Sequence, residues 1–321
     1  MRLNPVFLPV GLLMTLAILP SCRREPPLHL VDPDPIIDFE TNKIILDLEV
    51  LWEYEISYDW QAEWWYDWDQ RDDTLFGSWD LQEPSMFNIR RYFTNQDPDA
   101  KHDQVLPDQT SGHRYQATYK YGYYDILVWN DVNTMDGVQS LHFDEQTSLD
   151  YVMAYTNQSN QQSSVPNSAP AYRGSYAFYQ PEFLFSGKFD DLHVTDDPAD
   201  YDSLIVNPDG SYTWYKFVPL VLTPVTYIYL PQVIMHNNYG SKVTGVGGHA
   251  NLTGMARSVN LTTHITSAED ISVGFSTRMK RHVDYVDPET QVHEDVDIVG
   301  GRLFTFGLTG IDPFQVTRVN S

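Results

Sequence analysis

Six aromatic rings and seven carboxylates share the nineteen residues of "EISYDWQAEWWYDWDQRDD", 55–73. Indole rings stack on sugar faces while carboxylates accept sugar hydroxyls, so Trp64, Trp65 and Trp68 form a candidate glycan-binding surface. Adjacent Trp64 and Trp65 cannot both point inward from a regular strand, and one of them needs a role outside a core. A second candidate is the basic island "TRMKRH", 277–282, whose Arg278, Lys280 and Arg281 would dock an acidic partner. Read as plain structure, the same charges keep an edge strand from unwanted pairing.

Other chemistries find little to work with. Ten histidines are dispersed, none falls in an H-E-x-x-H pattern, and a single cysteine cannot complete a thiolate zinc site. No G-x-S-x-G elbow is present, and "GVGGHANLTG" lacks the lysine and hydroxyl of a phosphate loop. Carboxylates are so numerous that no glycosidase pair stands out, because that reaction needs two of them at a defined separation. "DPDAKHD", 97–103, and "DDLHVTDDPAD", 190–200, offer oxygen atoms to calcium. Both lack the ligand spacing, central glycine and final glutamate of a calcium loop, so solvated loops are expected, with weak calcium binding as the alternative. No cofactor and no enzymatic activity are expected.

The one cysteine, Cys22, stands at a telling place. The chain opens "MRLNPVFLPVGLLMTLAILPSC", with Arg2 followed by a fourteen-residue apolar run, Val6 to Leu19. That run is too short to span a bilayer and suits a signal peptide, 1–21. "LPSC" resembles the bacterial lipobox, which implies cleavage before Cys22 and acylation of its thiol. Acyl chains contributing about 0.8 kcal/mol per buried methylene hold a protein on a membrane. Arg23 and Arg24 then sit at headgroup level, where anionic lipid favours them. The full sequence carries a formal charge of −24, and loss of the leader leaves 44 acids against 19 basic side chains, or −25. A phosphate backbone repels such a surface, so nucleic acid is excluded as a partner.

The elements that must position these residues are strands. From Leu46 to Trp68 the even positions are apolar or aromatic, while the odd ones, Leu51 and Trp65 apart, are polar or acidic. Alternation of period two places the rings in a core and the acids in water. Twenty-three extended residues would span roughly 75 Å, so the run must bend, and 44–56 is read as a core strand. "EPPLHLVDPDPIID", 25–38, is extended tether within the lipidated segment 22–38. A first body is expected over 39–156. It holds "SMFNIRRYF", a polar loop "TNQDPDAKHDQVLPDQTSGH", and a buried strand at Ile126 to Trp129. "NQSNQQSSVPNSAP", 157–170, reads as a linker or exposed loop. The second body, 171–321, is a series of short aromatic and β-branched runs, including "YDSLIV", "SYTWYKFVPLVL" and "DISVGFSTRM", with a strong turn at "NPDG", 207–210. Only "AYRGSYAFYQPEFLFSG" leaves room for a short helix. Many short strands between turns predict an all-β chain built as β-sandwiches. The C-terminal "RLFTFGLTGIDPFQVTRVNS" is expected to supply a last strand.

Taken in order, several motifs carry a family resemblance. "CRRE" and the acidic tether lead to "YDW", and then come "YGYYDILVWND", "QPEFLFSG", "FVPLVLTPVTYIYL", "GHANLTGMARSVNL" and "RLFTFGLTG". This order resembles the Bacteroidales fimbrillin-like lipoproteins, a family that includes fimbrial anchor and accessory subunits. The resemblance implies two transthyretin-like β-sandwich domains and an outer-membrane, cell-surface protein with fimbrial or other envelope partners. It also implies assembly by strand donation. The acidic tryptophan cluster and the 95–114 insertion depart from the anchors. A surface glycan-binding lipoprotein is the competing reading.

Overall fold

The computed structural model describes residues 42–50, 83–95, 102–132, 139–145, 148–162, 176–229, 231–237, 249–287 and 289–309. They fall within one compact unit, Ile37–Ser321. The strands are β1 Asn42–Val50, β2 Met86–Thr94, β3 Gln104–Ser111, β4 Arg114–Ala117, β5 Gly122–Asn130, β6 Leu141–Asp144, β7 Met153–Thr156, β8 Gln158–Gln162 and β9 Tyr176–Phe178. They continue as β10 Phe185–Val194, β11 Ser203–Val206, β12 Tyr212–Pro224, β13 Tyr227–Tyr229, β14 Gln232–Met235, β15 His249–Ala256, β16 Ser258–Asn260, β17 Asp270–Val286, β18 His293–Gly301 and β19 Leu303–Thr305. Two single 3-10 turns, Leu149–Tyr151 and Pro198–Asp200, are the only helical elements among the described residues. The all-β expectation therefore holds. No helix among them is long and apolar enough to cross a membrane.

The largest sheet runs β3-β2-β5-β10-β12-β1-β4, with β11 added along β12. It is mixed, since β1 pairs parallel with β12 and the other neighbours are antiparallel. The sheet closes over on itself, because inward residues from its two limbs meet in one cluster. Ile44, Leu46 and Leu48 of β1 and Val218, Leu220 and Leu222 of β12 pack with Phe87 and Ile89 of β2, Ile126 and Val128 of β5, and Phe185 of β10. Asp47 and Glu49 face water while Leu46 and Leu48 are buried, as the period of two requires. The remainder of the predicted 44–56 strand, and the tryptophan-rich run after it, lie outside the described residues.

β5 is buried on both faces, which explains the unbroken "ILVW". Its Leu127 and Trp129 point away from the first core and join Tyr92, Leu141, Leu149, Ala154, Val259 and Leu261 in a second. The small sheet β16-β7-β6 supplies the cover there. Strands from both sides of 157–170 share the large sheet, for β10 and β12 lie between β5 and β1.

Three local expectations are corrected. The polar stretch after β2, read as a loop, contains strand β3, which pairs with β2 from Met86↔Ser111 to Phe93↔Gln104. β3 is the outermost strand, so its Pro107 and its half-exposed polar residues are tolerated there. Gln158–Gln162, the start of the expected linker or loop, forms β8 against β9. The described part of "AYRGSYAFYQPEFLFSG" is strand and extended chain, with no helix.

β17 has seventeen residues, more than a strand usually holds. Its first half pairs with β15 as far as Ser276 and its second with β18 from Thr277, and a bulge between Lys280 and Val283 interrupts the second pairing.

Candidate functional site

Of the residues singled out in the sequence, Cys22, Trp64, Trp65 and Trp68 lie outside the described residues. Arg278, Lys280 and Arg281 lie on β17, running into its bulge, with Arg278 and Lys280 half-buried and Arg281 exposed. The bulge places His282 at φ 56°, where its backbone N–H donates to Asp297 Oδ1 at 3.1 Å and its ring meets Asp295 Oδ2 at 3.1 Å. Carboxylates of β18 thus face this basic segment. Each of the three basic residues also takes part in an interaction within the chain. The acids of 190–200 are engaged locally as well. Asp190 pairs with Lys188 at 2.7 Å, Asp197 Oδ1 accepts from the Ala199 N–H at 2.9 Å, and Asp200 accepts from the Thr195 hydroxyl. Among the described residues, no three His, Cys, Asp or Glu side chains gather as a metal site would require.

The feature that stands out is the β11–β12 hairpin. Its turn is built from the "NPDG" that the sequence marked. Asn207 N–H donates to Ser211 O at 2.8 Å, Gly210 N–H donates to Asn207 O at 3.0 Å, and Gly210 takes the left-handed φ of 85° that closes such a turn. Asn207 Nδ2 reaches Ser211 Oγ at 2.9 Å and Thr213 Oγ1 at 2.8 Å. The Ser211 hydroxyl and N–H both donate to Asp209 Oδ1 and hold its carboxyl below the usual range. The turn is therefore rigid, and β11 is pinned in register from Ser203↔Tyr215 to Val206↔Tyr212.

Among the described residues β11 pairs with β12 alone, which leaves its other edge open. Leu204, Ile205 and Val206 are 41%, 49% and 62% exposed, so apolar side chains are offered on both faces of this edge. Tyr212 of β12, paired with Val206, is also exposed and adds to this surface. Protein edges are usually blunted by lysine, proline or inward charge, and β11, "SLIV", has none of these. Such an edge is suited to accept a further strand, with backbone bonds providing affinity and the alternate side chains providing selectivity.

One buried pair has the composition of a nucleophile and its base. Ser186 Oγ on β10, fully buried, lies 2.8 Å from His264 Nε2 and 2.8 Å from the Leu261 carbonyl oxygen. A hydroxyl has one proton, and the carbonyl can only accept it. Ser186 thus donates to Leu261, and the neutral imidazole donates to Ser186, the reverse of what activation of a serine needs. Burial pushes the His264 imidazole down to about 4, and its backbone sits at φ 59° in a turn held by Asn260 Oδ1. The pair ties the 260–264 turn to β10.

No protein-family model and no curated protein matches the chain. Solved structures similar to it include a candidate adhesin from Bacteroides ovatus, at 13% identity, covering 90% of this chain and 75% of that one with a TM-score of 0.46. A candidate adhesin from Bacteroides thetaiotaomicron is 10% identical, covering 85% of this chain and 74% of that one with a TM-score of 0.47. The fimbrial anchor protein Mfa2 from Porphyromonas gingivalis is 9% identical, covering 83% of this chain and 73% of that one with a TM-score of 0.42.

Proposed function

We propose that this chain is a non-enzymatic, lipid-anchored outer-membrane protein that serves as an anchor or accessory component of a fimbrial or adhesive assembly at the cell surface. Acylated Cys22 would hold it on the membrane, and the open edge of β11 would couple it to an envelope partner by strand addition. The exposed, unblocked apolar edge carries the reading, since no described strand pairs its outer backbone groups and an added strand would both bond them and bury Leu204, Ile205 and Val206. The motif order read from the sequence supports the fimbrial assignment. In this reading the fold is a pair of transthyretin-like sandwiches, with β10 and β12 contributing to the first. Arg278, Lys280 and Arg281 are proposed as a secondary docking point. A glycan-binding role for Trp64, Trp65 and Trp68 is the alternative.

Placing lysine at the centre of the edge tests the coupling. Ile205→Lys is expected to leave the melting temperature within about 0.5 kcal/mol equivalent of the parent, because the side chain is half-exposed. Incorporation into surface filaments, counted by immunogold electron microscopy, is expected to fall about tenfold or more, the effect of roughly 1.4 kcal/mol at the joint. Undiminished incorporation would remove β11 as the coupling strand.

A further inference from the structure

Granted strand addition at β11, the strand and its surroundings select what is added. We propose that the partner segment is an extended peptide with apolar residues at three successive positions and lysine or arginine at both ends. The inference rests on the strand-addition reading above and goes beyond it by naming the partner's chemistry.

The turn fixes which backbone groups of β11 are open. Asn207 lies opposite Ser211 and donates its N–H to that residue's carbonyl at 2.8 Å. Antiparallel partners exchange such bonds at every second residue, so Ile205 and Ser203 bond inward to Thr213 and Tyr215. At the other end the Asp202 N–H also reaches Tyr215 O, at 2.9 Å, as in a bulge set on the same alternation. The N–H and C=O groups of Leu204 and Val206 therefore point to the open edge, and an added strand meets four backbone groups there.

The side chains select apolar neighbours on both faces. Leu204 and Val206 share one face with Trp214 and Tyr212, their cross-strand partners, while Ile205 lies on the other face with Thr213. A strand of alternating apolar and polar residues would cover one face and set polar groups against the other. Apolar side chains at three successive positions cover both.

The charges select the ends. Residues 195–213 include Asp196, Asp197, Asp200, Asp202 and Asp209, and no lysine, arginine or histidine. Asp202 directly precedes β11 and Asp209 lies in its turn, both exposed. Both are held in place, since Asp202 Oδ2 accepts from the Phe217 N–H at 2.7 Å and Asp209 Oδ1 from the Ser211 N–H at 2.9 Å. Lys216, the next basic residue along the chain, is half-buried and donates to His193 O at 3.4 Å. Each end of the apolar edge thus carries negative charge close to any strand laid on it, so basic ends are attracted and acidic ends repelled. A second copy of the chain, pairing β11 with β11 in antiparallel fashion, would bring Asp202 toward Asp209 and is disfavoured.

The test uses the purified full chain and three peptides, KTVIVTK, ETVIVTE and KTVSVTK, blocked at their termini. Binding is followed at low ionic strength through hydrogen exchange of the Leu204 and Val206 amides, read by nuclear magnetic resonance. KTVIVTK is expected to slow both amides about tenfold or more at saturation and to leave that of Ile205, already bonded to Thr213, little changed. It should bind about tenfold more tightly than ETVIVTE, as a pair of exposed charge contacts reversed in sign would give. KTVSVTK, with one face of its centre polar, should bind severalfold more weakly. In Asp202→Asn combined with Asp209→Asn, where each amide oxygen can still accept, the preference for lysine ends should shrink to about twofold. Equal protection by the lysine-ended and glutamate-ended peptides, an undiminished preference in the double variant, or equal binding of KTVSVTK would overturn this proposal while leaving strand addition intact. Leu204 and Val206 amides that no peptide protects would overturn both.

Discussion

Gly187→Ala is expected to destabilise the protein by about 3 kcal/mol, the upper end for overpacking in a filled core. Gly187 follows the point where β10 meets the end of β12, paired as Phe185↔Pro224 and Ser186↔Thr223. A Cβ there would lie 2.2 Å from the Val221 carbonyl oxygen and 2.9 Å from its carbonyl carbon. Those atoms are backbone and have no rotamer into which to retreat. Leu220, 2.9 Å away through Cδ2, belongs to the first core and is 1% exposed, so it has little room to turn aside. The two strands would have to separate where the large sheet folds over, loosening the core that both limbs share. The melting temperature should fall by roughly 10 °C, at a few degrees per kcal/mol for a domain of this size. Gly274→Ala on β17 is the matched control. Its Cβ would meet Asn251 Oδ1 at 3.4 Å and Ala177 Cβ at 3.6 Å, ordinary contact distances, and a change within about 0.5 kcal/mol is expected. Equal denaturation midpoints for the two variants would refute the close-approach account.

Lowering the pH from 7 to 5 should remove about 2 kcal/mol of stability through His264 alone, and about 3 kcal/mol by pH 4. The imidazole is held to about 4 when folded, by burial, against 6.5 when free. Between those values the unfolded chain binds the proton that the folded chain refuses. Stability from this group is therefore complete above pH 6.5 and drains away as the pH falls toward 4. Protonation would also place an uncompensated charge beside Ser186 and β10, close to the same strand junction. His264→Gln retains an N–H donor for Ser186 and cannot titrate, so its urea midpoint should be flatter than the parent's between pH 7 and 5. The carboxylates contribute a common background to both proteins, and the difference between the two slopes isolates the histidine. Identical slopes would show that His264 is protonated as readily in the folded state as in the unfolded.

Both effects concern residues that sequence reading passed over. Gly187 appears in the sequence as the last letter of "QPEFLFSG", and nothing near it announces that another backbone will pass close by. Ser186 and His264 are 78 residues apart. Neither a nucleophile elbow nor a spaced histidine pattern joins them, because their contact is made by a turn docking on a strand.

What the chain determined by itself is the local alternation of its side chains. Ile44, Leu46 and Leu48 against Asp47 and Glu49 settle which face of β1 turns inward, since successive side chains on a strand must point to opposite sides. The run "ILVW" is apolar at every position and could only be covered on both faces. "NPDG" is a turn in any context that joins two strands, because the left-handed position it needs is supplied by glycine. Only the tertiary structure decided the rest. "SLIV" and "ILVW" look alike as letters, yet one is an open edge and the other is buried. The difference is the number of neighbours each strand has, a property of the sheet and not of the strand.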